Sequence, residues 1–471
     1  MLPAHTLPAP FARDSRLDLV RGLALLVIFV NHIPDNEGQF FTPSRYGWSD
    51  AAEVFVFCSG YVSALVFGQS LACSGLWLGT IRILQRCARI YAVHLALFAA
   101  LALSCLAGNA LFPSQDYIRQ LNIQFFFDQT HIALPALVTL RYLPNAIDIL
   151  PMYLIMLAWI PVFWALSRIS RWLAAGASLG LYAATYLANL ELSAEPFSDR
   201  SWFFNPFSWQ LLFFGGFALG AGWASIRLGR AIWLKAGLAL VLIAIPLAHE
   251  ASLRPFGGLS MLHDLIEPFY EKTRLGPLRI LHFAALGYGV ASLLARYPAC
   301  LEWSLARRIR ILGRHSLAIF ALGLLFARIA GMALDQWGHA PLTVLMINLG
   351  GMALLLMLAQ GLEWLEGKPW KRAREPFRQA LYGQWWRLGL DAFGQKVLRP
   401  LAIILLLLPL AVTPFLLPKK PAPIPAMPPG DPWQGAEHTD PDPAPNPAAR
   451  EVIPPHMTDA AVYLAQTRHG H

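Results

Sequence analysis

The chain has 471 residues, of which 56% are hydrophobic and only 14% are charged, and its mean hydropathy is +0.47. Soluble domains usually carry about 25% charged residues, so this chain has too little charge to cover a surface that faces water. The composition therefore excludes a soluble enzyme or binding module and indicates a membrane protein. The net charge is +9, but the basic residues cluster between apolar runs. We therefore expect no nucleic-acid partner.

Apolar runs recur along the whole chain at the length of a spanning helix, which is about 20 residues. They predict an all-α, polytopic helix bundle in the membrane with about 10–11 transmembrane helices. The candidate spans are 17–33, 51–71, 83–107, 147–167, 172–190, 206–226, 231–249, 278–297, 315–335, 341–362 and 398–417.

The distribution of Lys and Arg predicts how the bundle is oriented. Most of the 37 basic residues fall on one side if the N-terminus is cytoplasmic, which is the side where positive loops accumulate. The first run follows Arg13 and Arg16 and no A-x-A-like cleavage site comes after it, so we interpret it as a retained span. This orientation places the C-terminus outside.

Composition divides the chain into a core and several flanking segments. The core is predicted at 13–365 with about ten helices, after an N-terminal tail at 1–12. Residues 108–146 are interrupted by prolines and predict an external loop with a re-entrant or interfacial piece. Beyond the core we expect a cytoplasmic amphipathic segment at 366–397, an extra transmembrane helix at 398–417 and a Pro-rich, disordered periplasmic tail at 418–471.

Cysteine spacing and the familiar catalytic motifs give little guidance to chemistry. The five cysteines form no CxxC pair and lie in or near apolar segments, so we expect packing thiols. The chain contains no Walker A, GxSxG or HExxH motif and no cluster of metal-ligand residues, so we expect no bound metal. The chain has no internal repeat that would favour an inverted-repeat transporter.

The first span carries a polar stripe. Asp18, Arg21 and His32 lie on one helical face, and Arg21 and His32 are about 16 Å apart along the axis. Polar side chains on a membrane helix should face protein or water. A snorkelling arginine and a capping histidine would also account for the pattern.

The second span begins with Ser49, Asp50 and Glu53. Ser49 is a suitable N-cap, and Asp50 fits the first turn. Glu53 lies deeper, where charge is costly, so Glu53 is a candidate partner that would fix the tautomer of His32. Further along, Gly60, Ala64 and Gly68 form a small-residue face that favours close helix packing.

The third span begins with Arg82, Arg86 and Arg89 on one helical face. Three like charges on one face repel one another unless an anion or carboxylates lie opposite. They are either a positive-inside anchor or a phosphate site at the inner surface. Other polar residues in apolar surroundings suggest a supporting chamber within the bundle. They are Asp18, Tyr91, Asp148, Gln210, Arg279 and His282.

These motifs resemble those of a known family of membrane acyltransferases. Arg21 and His32, separated by ten residues, resemble the Arg-x10-His signature of the acyltransferase-3 superfamily, and Arg86–Tyr91 resembles its RxxR motif. Phe57–Tyr61 resembles its Ser-Gly-Phe segment, whereas its Tyr-x-x-His motif is missing near Ser316–Phe320. The segments 31–34, 49–53, 205–210 and 278–283 are more specifically similar to the OpgC branch, which succinylates osmoregulated periplasmic glucans.

The resemblance implies a multi-pass protein of the bacterial inner membrane that moves a succinyl group from cytoplasmic succinyl-CoA to glucan hydroxyls outside. His32 would be the general base, oriented by Glu53 or Asp50. Arg21, Arg86 and Arg89 would bind the acyl donor, and Arg279 or Arg141 could bind the succinyl carboxylate. The implied partners are the lipid bilayer, the acyl-CoA donor and the glucan. Two alternatives stay open: an acetyltransferase of another envelope polysaccharide and a glycan transporter without chemistry.

Overall fold

The computed structural model describes residues 14–145, 147–248 and 257–367, and this part of the chain is helical without β-strands. The helices are α1 (Ser15–Asn31), α2 (Ala51–Ser63), α3 (Gln69–Leu111), α4 (Tyr117–Gln120), α5 (Gln124–Asp128), α6 (Thr130–Val138), α7 (Ile149–Ile169), α8 (Arg171–Leu187), α9 (Pro206–Gly220), α10 (Ala231–Leu247), α11 (Gly257–Ile266), α12 (Pro277–Arg296), α13 (Ser304–Arg314), α14 (Ser316–Trp337) and α15 (Pro341–Glu366).

The predicted all-α membrane bundle is confirmed. Each predicted span between residues 17 and 362 coincides with one of these helices. Among the described residues, five helical stretches are long and apolar enough to cross a bilayer, and the apolar helix α10 is shorter. The predictions for 1–12, 398–417 and 418–471, and for 366–397 beyond residue 367, lie outside the described residues.

Gly75 divides the longest of these stretches, Ala51–Leu111, into a hairpin. Gly75 has φ +78°, a left-handed conformation that favours glycine. A Cβ on Gly79 would lie 2.8 Å from the Cα of Leu71, so the two arms pass very close to each other. A five-residue π-helix, Ala64–Gly68, precedes the bend. Therefore α2 and most of α3 run in opposite directions.

The bundle has two ends that separate the candidate residues. The N-terminal half of α1 carries Arg21, and we call this side the Arg21 end; α1 stops at the opposite side, the His32 end. Helix α2 runs back from the His32 end, since Asp50 lies within electrostatic range of His32 and Tyr61 within that of Arg16. Helix α1 packs against α2, α13 and α14, while α3 packs against α7 and α14.

Glycines allow the tightest helix crossing, between α2 and α9. A Cβ on Gly60 would lie 1.8 Å from the carbonyl oxygen of Phe213, and one on Gly216 would lie 2.2 Å from that of Phe57. The backbones are therefore in direct contact at this crossing. The predicted small-residue face of the second span is confirmed as a packing surface, and Gly68 faces the ring of Phe217.

Residues 112–138 return alongside α3; re-entry of this segment into the membrane stays a prediction. Tyr117 contacts Gly108 near the end of α3, and Phe126 packs against Phe98 with ring centroids 4.7 Å apart. Further down, the hydroxyl of Tyr91 donates to the carbonyl of Val138 at 2.6 Å. These contacts follow α3 over roughly 25 Å at 1.5 Å per residue. The segment therefore lines the bundle over most of its depth.

The α2–α9 crossing predicts a position-specific effect on stability. Gly60→Ala should destabilise the protein by roughly 1–3 kcal/mol, because its new methyl group would overlap a backbone carbonyl. The matched control is Gly215→Ala on α9, where a Cβ meets nothing within 4 Å. Thermal unfolding of the purified variants in detergent measures both. Equal midpoints for the two variants would refute the close crossing.

Candidate active site

His32 caps the C-terminus of α1 with its imidazole accessible to solvent. Its backbone lies at φ −101° and ψ 0°, and its Nδ1 is 2.7 Å from the carbonyl oxygen of Ile28. A carbonyl can only accept, so Nδ1 carries a proton, and in the neutral ring the lone pair therefore lies on Nε2. The residue is exposed and within electrostatic range of Asp50 and Lys272. Among the described hydrogen bonds, none involves Nε2, so this nitrogen is open to a further partner.

The chain after His32 is fastened to α15 by a pair of amides. Asn36 and Asn348 exchange hydrogen bonds of 2.9 and 2.8 Å, and Asn36 also donates to the carbonyl of Val30. Both asparagines are buried. Buried amides must find partners, so this reciprocal pair fixes where the chain leaves α1. Asn31, beside His32, bonds the hydroxyls of Thr42 and Ser44 in the same loop.

Four charged side chains form a network at the His32 end, which we call the charge network: Asp50, Glu53, Lys272 and Arg279. Glu53 and Arg279 are buried, whereas Asp50 and Lys272 are partly exposed. Asp50 Oδ2 accepts from Lys272 Nζ at 2.6 Å and from Arg279 Nη2 at 3.1 Å. Glu53 Oε1 accepts from Arg279 Nε at 2.6 Å. Two positive and two negative charges balance, which is how buried charges are tolerated. Burial raises the pKa of Asp50, but Lys272 and Arg279 outweigh it and hold that pKa well below its usual range.

The expected carboxylate partner of His32 is absent from the described hydrogen bonds. The second carboxylate oxygen of Glu53 accepts a hydrogen bond from the backbone N–H of Asp50 at 2.8 Å. This bond completes a capping box at the start of α2. Asp50, and not Ser49, is therefore the N-cap. The orientation of His32 by Glu53 or Asp50 is corrected, because both carboxylates are engaged elsewhere and the Ile28 carbonyl orients the ring.

Ser49 instead binds His282. Its hydroxyl lies 2.7 Å from His282 Nδ1, and its backbone N–H donates to the same nitrogen at 3.3 Å. A Cβ on Gly47 would lie 2.4 Å from the His282 ring, so only glycine fits there. These contacts attach the residues before α2 to α12, on which Arg279 also lies. Through Ser49, His282 therefore supports the start of α2, where Asp50 and Glu53 of the charge network lie.

Lys272 is held by a loop whose backbone is unusually well anchored. Four consecutive carbonyls accept hydrogen bonds from side chains on α8 and α9. Trp209 Nε1 donates to Lys272 (3.1 Å) and Thr273 (3.2 Å), Tyr186 donates to Arg274 (3.0 Å), and Tyr182 donates to Leu275 (3.0 Å). Sequence reasoning missed Lys272 because a lone lysine in a polar loop carries no pattern. Its side chain remains 31% exposed.

Asp148 belongs to the same end of the bundle. It is buried just before α7, within electrostatic range of Lys272 and Arg200. Burial raises the pKa of its carboxyl to about 6, against the attraction of those cations. Asp148 and His282 thus lie near the charge network, of which the predicted chamber residue Arg279 is a member.

The other predicted chamber residues lie elsewhere. Gln210 is buried between α8 and α9, where its amide bonds the hydroxyl and carbonyl of Ser178 at 2.6 and 2.7 Å. The hydroxyl of Tyr91 donates to the carbonyl of Val138, as described above. Asp18 lies at the Arg21 end. The prediction of a single chamber that holds all six residues is therefore corrected. Only the group at the His32 end is found together, because the polar atoms of Gln210 and Tyr91 bond neighbouring segments instead.

The Arg21 end has its own polar group. Arg21 donates to the hydroxyl of Ser316, where α14 begins. Arg314 pairs with Glu363 at 2.7 Å and approaches Asp18 at 3.7 Å. Glu363 also accepts from His315 Nε2 at 2.9 Å. These bonds tie α1, α13, α14 and α15 together near Arg21.

Arg86 and Arg89 lie on α3 at partly exposed and exposed positions, respectively. No carboxylate of the described residues is within 4 Å of either guanidinium. Two unpaired guanidiniums on one helix face can bind phosphate oxygens. The structure does not bring them into contact with Arg21.

The charge network predicts a pH-dependent contribution to stability. Asp50→Asn should destabilise the protein by roughly 3–5 kcal/mol near neutral pH, because it leaves Lys272 and Arg279 without their shared anion. The lowered pKa makes this contribution present above the unfolded pKa, about 3.9, and lost as the pH falls below it. Thermal unfolding of wild type and variant should therefore converge on acidification. Asp264→Asn, at an exposed position, is the control; a gap that widened in acid would contradict the assignment.

Comparison with known proteins identifies the family. No match was found to a curated protein or to a solved structure. A family model described as OpgC protein matches residues 13–367, which include α1 through α15 and both polar ends. The chain therefore belongs to the OpgC protein family.

Proposed function

We propose that this protein is a membrane O-acyltransferase that transfers a succinyl group from succinyl-CoA to hydroxyl groups of periplasmic glucans. Family membership supports glucan succinyltransferase-like chemistry. The observation that carries the proposal is His32, whose protonated Nδ1 is bound to Ile28 and whose Nε2 is open. We place the protein in the bacterial inner membrane and, as its motifs suggest, in the acyltransferase-3 superfamily.

His32 acts as the general base. Nε2 takes the proton of a sugar hydroxyl while the sugar oxygen attacks the thioester carbonyl carbon. The tetrahedral intermediate collapses, the carbon–sulfur bond breaks, and the departing thiolate receives the proton from the imidazolium. Histidine suits both transfers because its pKa lies near neutral pH.

The orientation of the bundle supports donor entry at the Arg21 end. Positive loops favour the cytoplasmic side, so the Arg21 end faces the cytoplasm, where the acyl-CoA is found. Arg86 and Arg89 bind the phosphates of the donor, and Arg21 supports this end through Ser316. The His32 end then faces the periplasm and the glucan. The thioester must therefore reach across the bundle.

Lys272 is the better candidate for binding the succinyl carboxylate. Arg279 donates to both Glu53 and Asp50 and its side chain is only 9% exposed, whereas that of Lys272 is 31% exposed. Lys272 also has ammonium protons beyond the one given to Asp50. An acetyl group has no carboxylate for this cation to bind, so the assignment applies to a succinyl donor alone.

Replacing the base should abolish transfer without unfolding the protein. His32→Ala should lower kcat/KM for glucan succinylation by roughly 10²–10⁴-fold, with donor affinity unchanged. His131→Ala, at an exposed position on α6, is the matched control. Labelled succinyl-CoA and glucan with purified protein measure the rate. Normal succinylation by His32→Ala would remove the base assignment.

Neutralising the arginines of α3 should weaken donor binding. Arg86→Gln with Arg89→Gln should raise KM for succinyl-CoA several-fold or more, because charge-assisted bonds to phosphate are lost. Arg168→Gln with Arg171→Gln is the control; those arginines stack on Trp164 and Trp172 at the same end. Isothermal titration with CoA reports binding directly. Equal affinity in both double variants would disprove the phosphate role.

A further inference from the structure

An open groove runs between α10 and α12, away from the charge network. Its cavity volume is about 590 Å³, within the range of small-molecule sites, roughly 300–1,000 Å³. Arg227 and Arg230 line one end, and Gly237, Ala284 and Ala285 line the floor. Gly220 lies seven residues before Arg227 and packs against Tyr61. Because Tyr61 is within electrostatic range of Arg16, the two arginines lie at the Arg21 end.

The turn that carries the two arginines is built by side chains of α12. The hydroxyl of Tyr288 donates to the carbonyl of Arg227 at 2.9 Å and accepts from the N–H of Arg230 at 3.0 Å. Ser292 accepts from the N–H of Gly229 at 3.1 Å. Gly229 has φ +75°, which favours glycine. Tyr288 and Ser292 thus hold the backbone of this turn, and Arg227 and Arg230 line the adjoining end of the groove.

Both guanidiniums remain available to an anion. Arg227 and Arg230 are exposed, and no carboxylate of the described residues lies within 4 Å of either. The flanking helix α10 exposes large apolar side chains, including Trp233 and Leu238. A membrane helix with such a face borders lipid, and tryptophan favours the interface at the depth of the headgroups. The groove therefore opens toward lipid with positive charge at one end.

The walls favour a hydrocarbon chain over the arm of a coenzyme A. Beyond Trp233 and Tyr288, which lie nearest the arginines, the lining side chains are apolar or absent: Ala236, Gly237, Leu240, Leu281, Ala284 and Ala285. The pantetheine arm carries amides that would lose their hydrogen bonds there, at a cost of roughly 1–3 kcal/mol each. An acyl chain has no such requirement.

We propose that this groove binds an anionic phospholipid of the leaflet at the Arg21 end, with its phosphate between Arg227 and Arg230 and one acyl chain along α10 and α12. The site is separate from the proposed acyl transfer, so the two ideas can fail independently. Electrostatic attraction of about fivefold per basic residue near a membrane surface gives roughly 25-fold for both arginines.

The test compares lipids that differ only in headgroup charge. The purified full chain is incubated with equal amounts of phosphatidylglycerol and phosphatidylcholine that share the same acyl chains, and bound lipid is counted by native mass spectrometry. Wild type should retain phosphatidylglycerol preferentially. Arg227→Gln with Arg230→Gln should lose roughly 25-fold of that preference. Arg307→Gln with Arg308→Gln, at exposed positions on α13, removes equal charge and should keep the preference.

A second variant tests the groove itself. Ala284→Trp fills the floor at an exposed position and should reduce retention of both lipids while the unfolding temperature stays unchanged. Unchanged lipid preference after loss of Arg227 and Arg230, or equal loss in the α13 control, would overturn the proposal. Displacement of phosphatidylglycerol by CoA in wild type would assign the groove to the acyl donor instead and would also overturn it.

Discussion

The hydrogen bond between His32 Nδ1 and the carbonyl of Ile28 determines what this imidazole can do. A backbone carbonyl within the same helix cannot supply a proton, so the bond fixes the tautomer without any partner from another helix. The same carbonyl also accepts the backbone N–H of His32 at 3.1 Å, at the C-terminus of α1. In the proposed function, this residue supplies the general base.

The charge network is the second constraint. The charged side chains of this network pair with one another, and their pairing joins α2, α12 and the loop of Lys272. That junction lies within electrostatic range of His32. The carboxylates expected to orient the histidine instead stabilise this junction.

The apolar runs predicted the helices and the small-residue face of α2 well, because both depend on local composition. The D-x-x-E pattern of Asp50 and Glu53 also predicts the capping box, although Ser49 is an equally suitable N-cap by residue type. The sequence could not predict that His32 is served by its own helix, or that Lys272 joins the network. The contact of Lys272 with Asp50 joins residues more than two hundred positions apart. The contact of His32 with Ile28 depends on which nearby polar atoms already have hydrogen-bond partners. The hydrogen-bond partners of Gln210 and Tyr91 also cannot be predicted from the sequence, so their polar atoms alone suggest a chamber that the structure does not place there.

The most direct measurement uses proteoliposomes that carry the full-length protein with labelled succinyl-CoA on one side and glucan on the other. With the donor at the Arg21 end and the acceptor at the His32 end, the account predicts a succinyl mass increment on the glucan that disappears in the His32→Ala variant. Transfer that required donor and glucan on the same side, an acetyl-only activity, or succinylation by the variant would contradict it.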